Sequence, residues 1–195
     1  MSNKKCICFV YTETTGLHKD SANREDVSKK KLFLYARLVV LNYEIGYIEN
    51  GEYVQEKQVR SIVKPKSMVI TEDSVQFHGI TNDHALKEGI EIEEVLNQFI
   101  KDMSIVDIIV SHNVDFHLRT LMAEYVKFNI QFDFQRFIII DTISFYHDYG
   151  YIKLKDLASK LKVNINDENN TEIIKLVFFK LYKKFKKSII SVENK

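Results

Sequence analysis

The residues able to do chemistry gather in four short runs. Residues 11–17 read Tyr-Thr-Glu-Thr-Thr-Gly-Leu, 77–81 read Phe-His-Gly-Ile-Thr, 111–118 read Ser-His-Asn-Val-Asp-Phe-His-Leu, and 140–143 read Ile-Asp-Thr-Ile. Glu13, and further along Asp115 and Asp167, offer the hard oxygen ligands that Mg²⁺ prefers. A histidine such as His117 ligates softer metals and brings no negative charge. Asp115 stands two residues before His117, about 200° around a helix, so the two side chains point apart. Its simplest role is to start that helix as an N-cap or first-turn acid. Cys6 and Cys8 alternate in an apolar run, and a strand points both to one face. With no second ligand pair they read as buried structural thiols, not a metal site.

These runs need a scaffold, and the apolar pattern supplies one. Residues 5–12 read as a buried strand, 18–31 as a charged, solvated loop, and 32–43 as a second, long strand. Asn50-Gly51 signals a hairpin into a strand over 53–63, which Pro65 ends. Ile92, Val95, Leu96, Phe99 and Ile100 recur at helical spacing, giving a helix over 91–102. A strand over 105–110, a helix over 115–128 and a strand over 137–140 follow. A short helix near 153–161 and a basic helix with a short tail over 170–195 complete one domain spanning 1–195. In that last helix Ile174, Phe178, Leu181 and Phe185 form the core stripe, and Lys180, Lys183, Lys184 and Lys187 a basic face. The basic face reads as solvated, with phosphate binding as its functional alternative. Strands first, then alternating helix and strand, imply an α/β domain with a mixed sheet.

The composition sets limits. With 195 residues, 28 Lys+Arg against 27 Asp+Glu and a net charge of +1, the chain is neither a polycation nor an acidic tail. A local basic patch remains compatible with that balance. At 45% hydrophobic residues it is not a disordered chain. No apolar run approaches the ~18 residues of a membrane span, so no membrane partner is expected. Two cysteines and no secretory apolar segment after Met1 point to an intracellular, reducing compartment.

In order and spacing the four runs resemble the DnaQ-like, DEDD-type 3′–5′ exonucleases, in the subgroup with a catalytic histidine. That family opens on D-x-E-T-T-G-L, carries H-N-x-x-F-D, and ends with a His five residues before an Asp on the last helix. The segment around Val63–Pro65, the Phe-His-Gly-Ile-Thr run and the Asp141-Thr142 pair recur there in the same order. The resemblance covers about residues 7 to 183. It implies a ribonuclease H-like fold, a mixed five-stranded sheet flanked by helices. It also implies two divalent ions about 4 Å apart that activate a water and stabilise the leaving oxygen. Four carboxylates hold them, and a neutral histidine takes the water's proton.

Carried over position by position, the resemblance places Tyr11 at the first acid, keeps Glu13, and places His117 at the second-motif acid. On the last helix the acid falls at Asn170 and the histidine at Ile165. A phenol is neutral at pH 7 and bulky, so Tyr11 is expected to fill the metal pocket. Asn170 offers an uncharged oxygen, and Ile165 cannot move a proton. Thr14, Thr15, Gly16 and Leu17 match the turn that approaches the terminal nucleotide, where Gly16 also suits a positive φ. His112 and Asn113 match a buried polar pair with a structural hydrogen-bonding role, and His78, in the Phe-His-Gly-Ile-Thr turn, also reads as structural. The expectation is a catalytically inactive accessory domain with no resident cofactor. It would bind a single-stranded DNA or RNA 3′ end or a protein partner, with homodimers known in the resembling family. Two alternatives stay open. One is an active exonuclease using Glu13 as a weak metal ligand with Asp167 and His117, and Mg or Mn. The other is a scaffold without nucleic-acid contact.

Overall fold

The computed structural model of the chain describes residues 4–19, 22, 27–145, 151–166 and 169–190, with side chains of the last helix as far as Lys183. Its centre is the apolar run at the start of the sequence, β1 (Cys6–Thr14). β2 (Leu38–Glu49) and β3 (Glu52–Ile62) follow as an antiparallel hairpin. The Asn50-Gly51 turn takes φ of 52° and 85°, the left-handed pair that matches strand twist. α1 (Glu72–His78), α2 (Asn82–Glu88) and α3 (Ile92–Met103) lead to β4 (Ile108–Ser111) and α4 (Val114–Phe128). β5 (Ile138–Asp141), α5 (Leu154–Lys160) and α6 (Asn170–Ile190) finish the chain. The sheet order is β3-β2-β1-β4-β5, with β4 and β5 parallel to β1. This is the mixed five-stranded, helix-flanked α/β sheet of the ribonuclease H-like fold.

Alternation along β1 builds two cores. Cys6, Cys8 and Val10 face α3 and α4, where they meet Leu96, Phe99, Leu118 and Leu121. Ile7 and Phe9 face α5 and α6, where they meet Leu157, Ile174, Phe178 and Leu181. Both cysteines are free and buried, and burial pushes both thiols up. No helix among the described residues is long and apolar enough to cross a membrane.

The structure corrects three readings of the sequence. The second strand starts at Leu38, not at 32, because Lys29–Leu34 form a 3-10 turn. Leu34 and Tyr35 leave the sheet to pack with Ala22 and Ala123. The Phe-His-Gly-Ile-Thr run is the end of one short helix and the start of another, not a plain turn. Gly79, at φ 74°, closes α1, and Thr81 Oγ1 caps α2 by accepting from His84 N at 3.1 Å. β1 also runs two residues further than expected, to Thr14. Asp167, residues 20–21 and 23–26 of the charged loop, and the tail 191–195 lie outside the described residues.

α6 is tied to the sheet by an ion pair. Lys175 Nζ donates to Glu44 Oε1 and Oε2 at 2.8 and 3.1 Å, and Glu44 is fully buried on β2. Removing the lysine leaves an uncompensated carboxylate, which costs about 3–5 kcal/mol, whereas replacing both partners is far milder. Lys175→Met is therefore expected to lower the urea midpoint strongly at unchanged slope. Adding Glu44→Gln should recover most of the loss.

Candidate functional site

β1 outruns β4. Their ladder ends at Phe9–Val110, while β1 continues to Thr14. The backbone groups on that open side need other partners. Ser111 Oγ donates to the carbonyl of Val10 at 2.6 Å. Thr12 N donates to His117 Nδ1 at 3.1 Å, and Thr12 Oγ1 lies 2.8 Å from the same nitrogen. His117 Nε2 lies 3.2 Å from the carbonyl of His112. An amide N–H only donates and a carbonyl only accepts, so the ring carries its proton on Nε2 and is neutral. Burial holds its pKa down at about 3. Both ring nitrogens are occupied, and His117 is a strut between β1 and the start of α4.

On the opposite face of β1 stand Tyr11 and Glu13. The Tyr11 ring lies 4.5 Å from the His117 ring, centroid to centroid. Burial, and then the charge of Glu13, raise its hydroxyl far above the ordinary phenol range. Asn170, the first residue of α6, donates from Nδ2 to Glu13 Oε1 at 3.3 Å. Burial pushes the Glu13 carboxyl up to about 7, against smaller downward pulls from Asn170 and Arg60. Asn169, not an acid, caps α6: its Oδ1 accepts from Glu172 N at 3.1 Å. Ile165 is half-buried against the Ile7–Phe9 core. The fold thus sets Asn170 on Glu13 and the Tyr11 ring against His117, and leaves Ile165 in apolar packing.

The turn after β1 is locked by its threonines. Thr14 Oγ1 donates to the carbonyl of Gly16 at 2.6 Å, and Thr15 Oγ1 accepts from Arg37 N at 3.1 Å. Gly16, at φ 146°, occupies a conformation that L side chains rarely adopt, and Leu17 beyond it is 86% exposed. His112 Nε2 donates to the carbonyl of Ile152 at 2.7 Å and its Nδ1 lies 2.8 Å from Thr142 Oγ1, and burial holds its pKa below the usual imidazole range. Asn113 adopts the left-handed conformation and makes no side-chain cap. Asp141 replaces that cap from β5, accepting from Asn113 N and Val114 N at 2.9 Å each. The Asp141-Thr142 motif alone does not show this capping role, which depends on β5 lying beside the start of α4. Asp115 lies in the first turn of α4, paired with Arg119 at 2.9 Å.

This donor set does not fit a two-metal centre. Among the described residues Glu13 is the one carboxylate at the positions where the resembling family has four. Tyr11 is a neutral phenol, Asn170 turns its amide nitrogen to Glu13, and His117 has no free lone pair. Among the described residues no three His, Cys, Asp or Glu side chains are grouped to hold a metal ion.

The exonuclease family RNase_T matches residues 12–168. No curated protein sequence matches the chain. An exonuclease I in complex with the inhibitor BCBP superposes with a TM-score of 0.75 over 98% of this chain and 44% of its own, at 13% identity. E. coli exonuclease I in complex with a dA16 oligonucleotide gives 0.68 over 92% and 41%, at 13% identity. A moderately thermophilic exonuclease I from Methylocaldum szegediense gives 0.65 over 93% and 41%, at 12% identity. At such identities the likeness is one of fold, and the chain spans less than half the length of these proteins.

The raised Glu13 pKa makes a stability prediction. The folded chain holds this proton up to about pH 7, while the unfolded chain releases it near 4.5. Its contribution is present below pH 4.5 and is lost as pH rises towards 7. Glu13→Gln keeps an acceptor for Asn170 without the charge. Thermal melts should show the variant gaining Tm at pH 8, about 2–4 °C for each kcal/mol recovered, and almost none at pH 4.

Proposed function

Because the chain belongs to the RNase_T family of DnaQ-like exonucleases, we propose that it is a strand-binding domain that holds a nucleic-acid 3′ end without cutting it, as an accessory unit in DNA or RNA metabolism. The observation that carries this reading is the cluster around Glu13. One carboxyl, with its pKa raised to about 7 and paired with an amide, replaces a set of acids that would hold two cations. Fewer acids make the cleft less repulsive to phosphate. Tyr151 supports the binding half of the proposal. It is 68% exposed, and a flat exposed ring suits base stacking.

The test is incubation of purified protein with labelled single-stranded DNA and RNA, with Mg²⁺ or Mn²⁺. The expected result is no shortening, together with a gel shift that weakens as salt rises. Shortening that disappears in Glu13→Ala would contradict the proposal. Restoring acids tests the same point from the other side. In the combination Tyr11→Asp, His117→Asp, Ile165→His and Asn170→Asp, the His117 change breaks the Thr12–His112 link. A lower Tm, not recovered cutting, is expected.

A further inference from the structure

The sheet register sets three uncommitted polar side chains in one row. Tyr11 pairs with Asn42 across β1 and β2, and Asn42 pairs with Arg60 across β2 and β3. Directly paired residues share a face, with neighbouring Cβ atoms about 4.5–5.5 Å apart. That face is the one carrying Glu13, since Arg60 draws the Glu13 pKa down. Among the described residues none of the three side chains makes a hydrogen bond or ion pair. Arg60 is exposed, and Asn42 and Tyr11 are half-buried. Glu44, two residues beyond Asn42 on this face, is held by Lys175, which also pairs with Glu172 at 2.7 Å. One turn before Lys175 on α6, Thr171 is 2% exposed and its Oγ1 has no partner.

We propose that Tyr11, Asn42 and Arg60 form a subsite for one phosphodiester of the bound strand. A phenol and an amide donate hydrogen bonds without adding charge. The guanidinium supplies one positive charge, matching the single negative charge of a diester, and its fork suits paired phosphate oxygens. Tyr11 on β1 and Arg60 on β3 flank the short amide of Asn42 on β2. A contact to phosphate carries no sequence information, so its contribution is independent of sequence. The inference rests on the strand-binding reading above and assigns it a point of contact.

The test is binding of labelled dT and rU oligonucleotides, followed by fluorescence anisotropy over a salt series. Arg60→Met keeps the stem and removes the charge, Asn42→Ala removes the amide, and Lys101→Met on α3 is the remote control. Arg60→Met is expected to weaken binding about tenfold, as for one charged hydrogen-bonding group. It should also reduce the slope of log K against log salt by about 0.7, one phosphate's worth for a single strand. Asn42→Ala should weaken binding at unchanged slope, and Lys101→Met should alter neither. If the wild-type chain binds and Arg60→Met leaves its slope unchanged, the subsite is overturned and the binding reading stands. If the wild-type chain binds neither oligonucleotide, both fall.

Discussion

A central strand that outruns its neighbour exposes backbone polar groups inside the protein, and those groups must be satisfied. Here β1 passes the end of β4, and the side chains of Ser111 and His117 complete the ladder. His117 does this with both ring nitrogens, accepting from Thr12 and donating to His112. An aspartate in its place could accept but not donate, and it would bury a charge. The group that fixes the end of β1 is therefore withdrawn from metal chemistry by the same bonds that make it structural. Tyr11 and Glu13 flank Thr12, so their positions follow from this strut.

The electrostatics of the cleft follow from what surrounds that strand end. Burial favours the uncharged form of each group present: Tyr11 stays a phenol, His117 an imidazole, and Glu13 holds its proton to about pH 7. Clustered acids stay ionised when cations hold them together. With a single acid beside an amide, that compensation is gone, and desolvation decides the charge state. What remains is a donor-rich surface with Arg60 at its edge. Such a surface favours an anion over a pair of divalent cations.

The sequence made some of this plain and hid the rest. The Asn50-Gly51 hairpin, the buried β1 run and the periodicity of α3, α4 and α6 were legible because each rests on local pattern. Motif spacing assigned Tyr11, His117 and Asn170 to the acid positions of the resembling family, and the fold sets Asn170 on Glu13 and Tyr11 against His117. α1 and α2 were not, since seven-residue helices carry too few turns to show a period, although the caps at Thr71 and Thr81 and the stop at Gly79 mark them. The turn at Lys29–Leu34 breaks an apolar run that reads as strand, because Leu34 and Tyr35 find their core against α4 instead. Asp141 capping α4, and the Tyr11–Asn42–Arg60 row, depend on contacts between residues 18 to 31 positions apart in sequence, which no local pattern carries.

The central claim is that this cleft is held together by hydrogen bonds among neutral groups and does not gather divalent cations. Paramagnetic broadening of backbone amide signals during a Mn²⁺ titration reads that directly, residue by residue. The expected result is no saturable broadening at Tyr11, Glu13 and Asn170 at millimolar Mn²⁺. Saturable broadening centred on those three amides, abolished by Glu13→Gln, would contradict it.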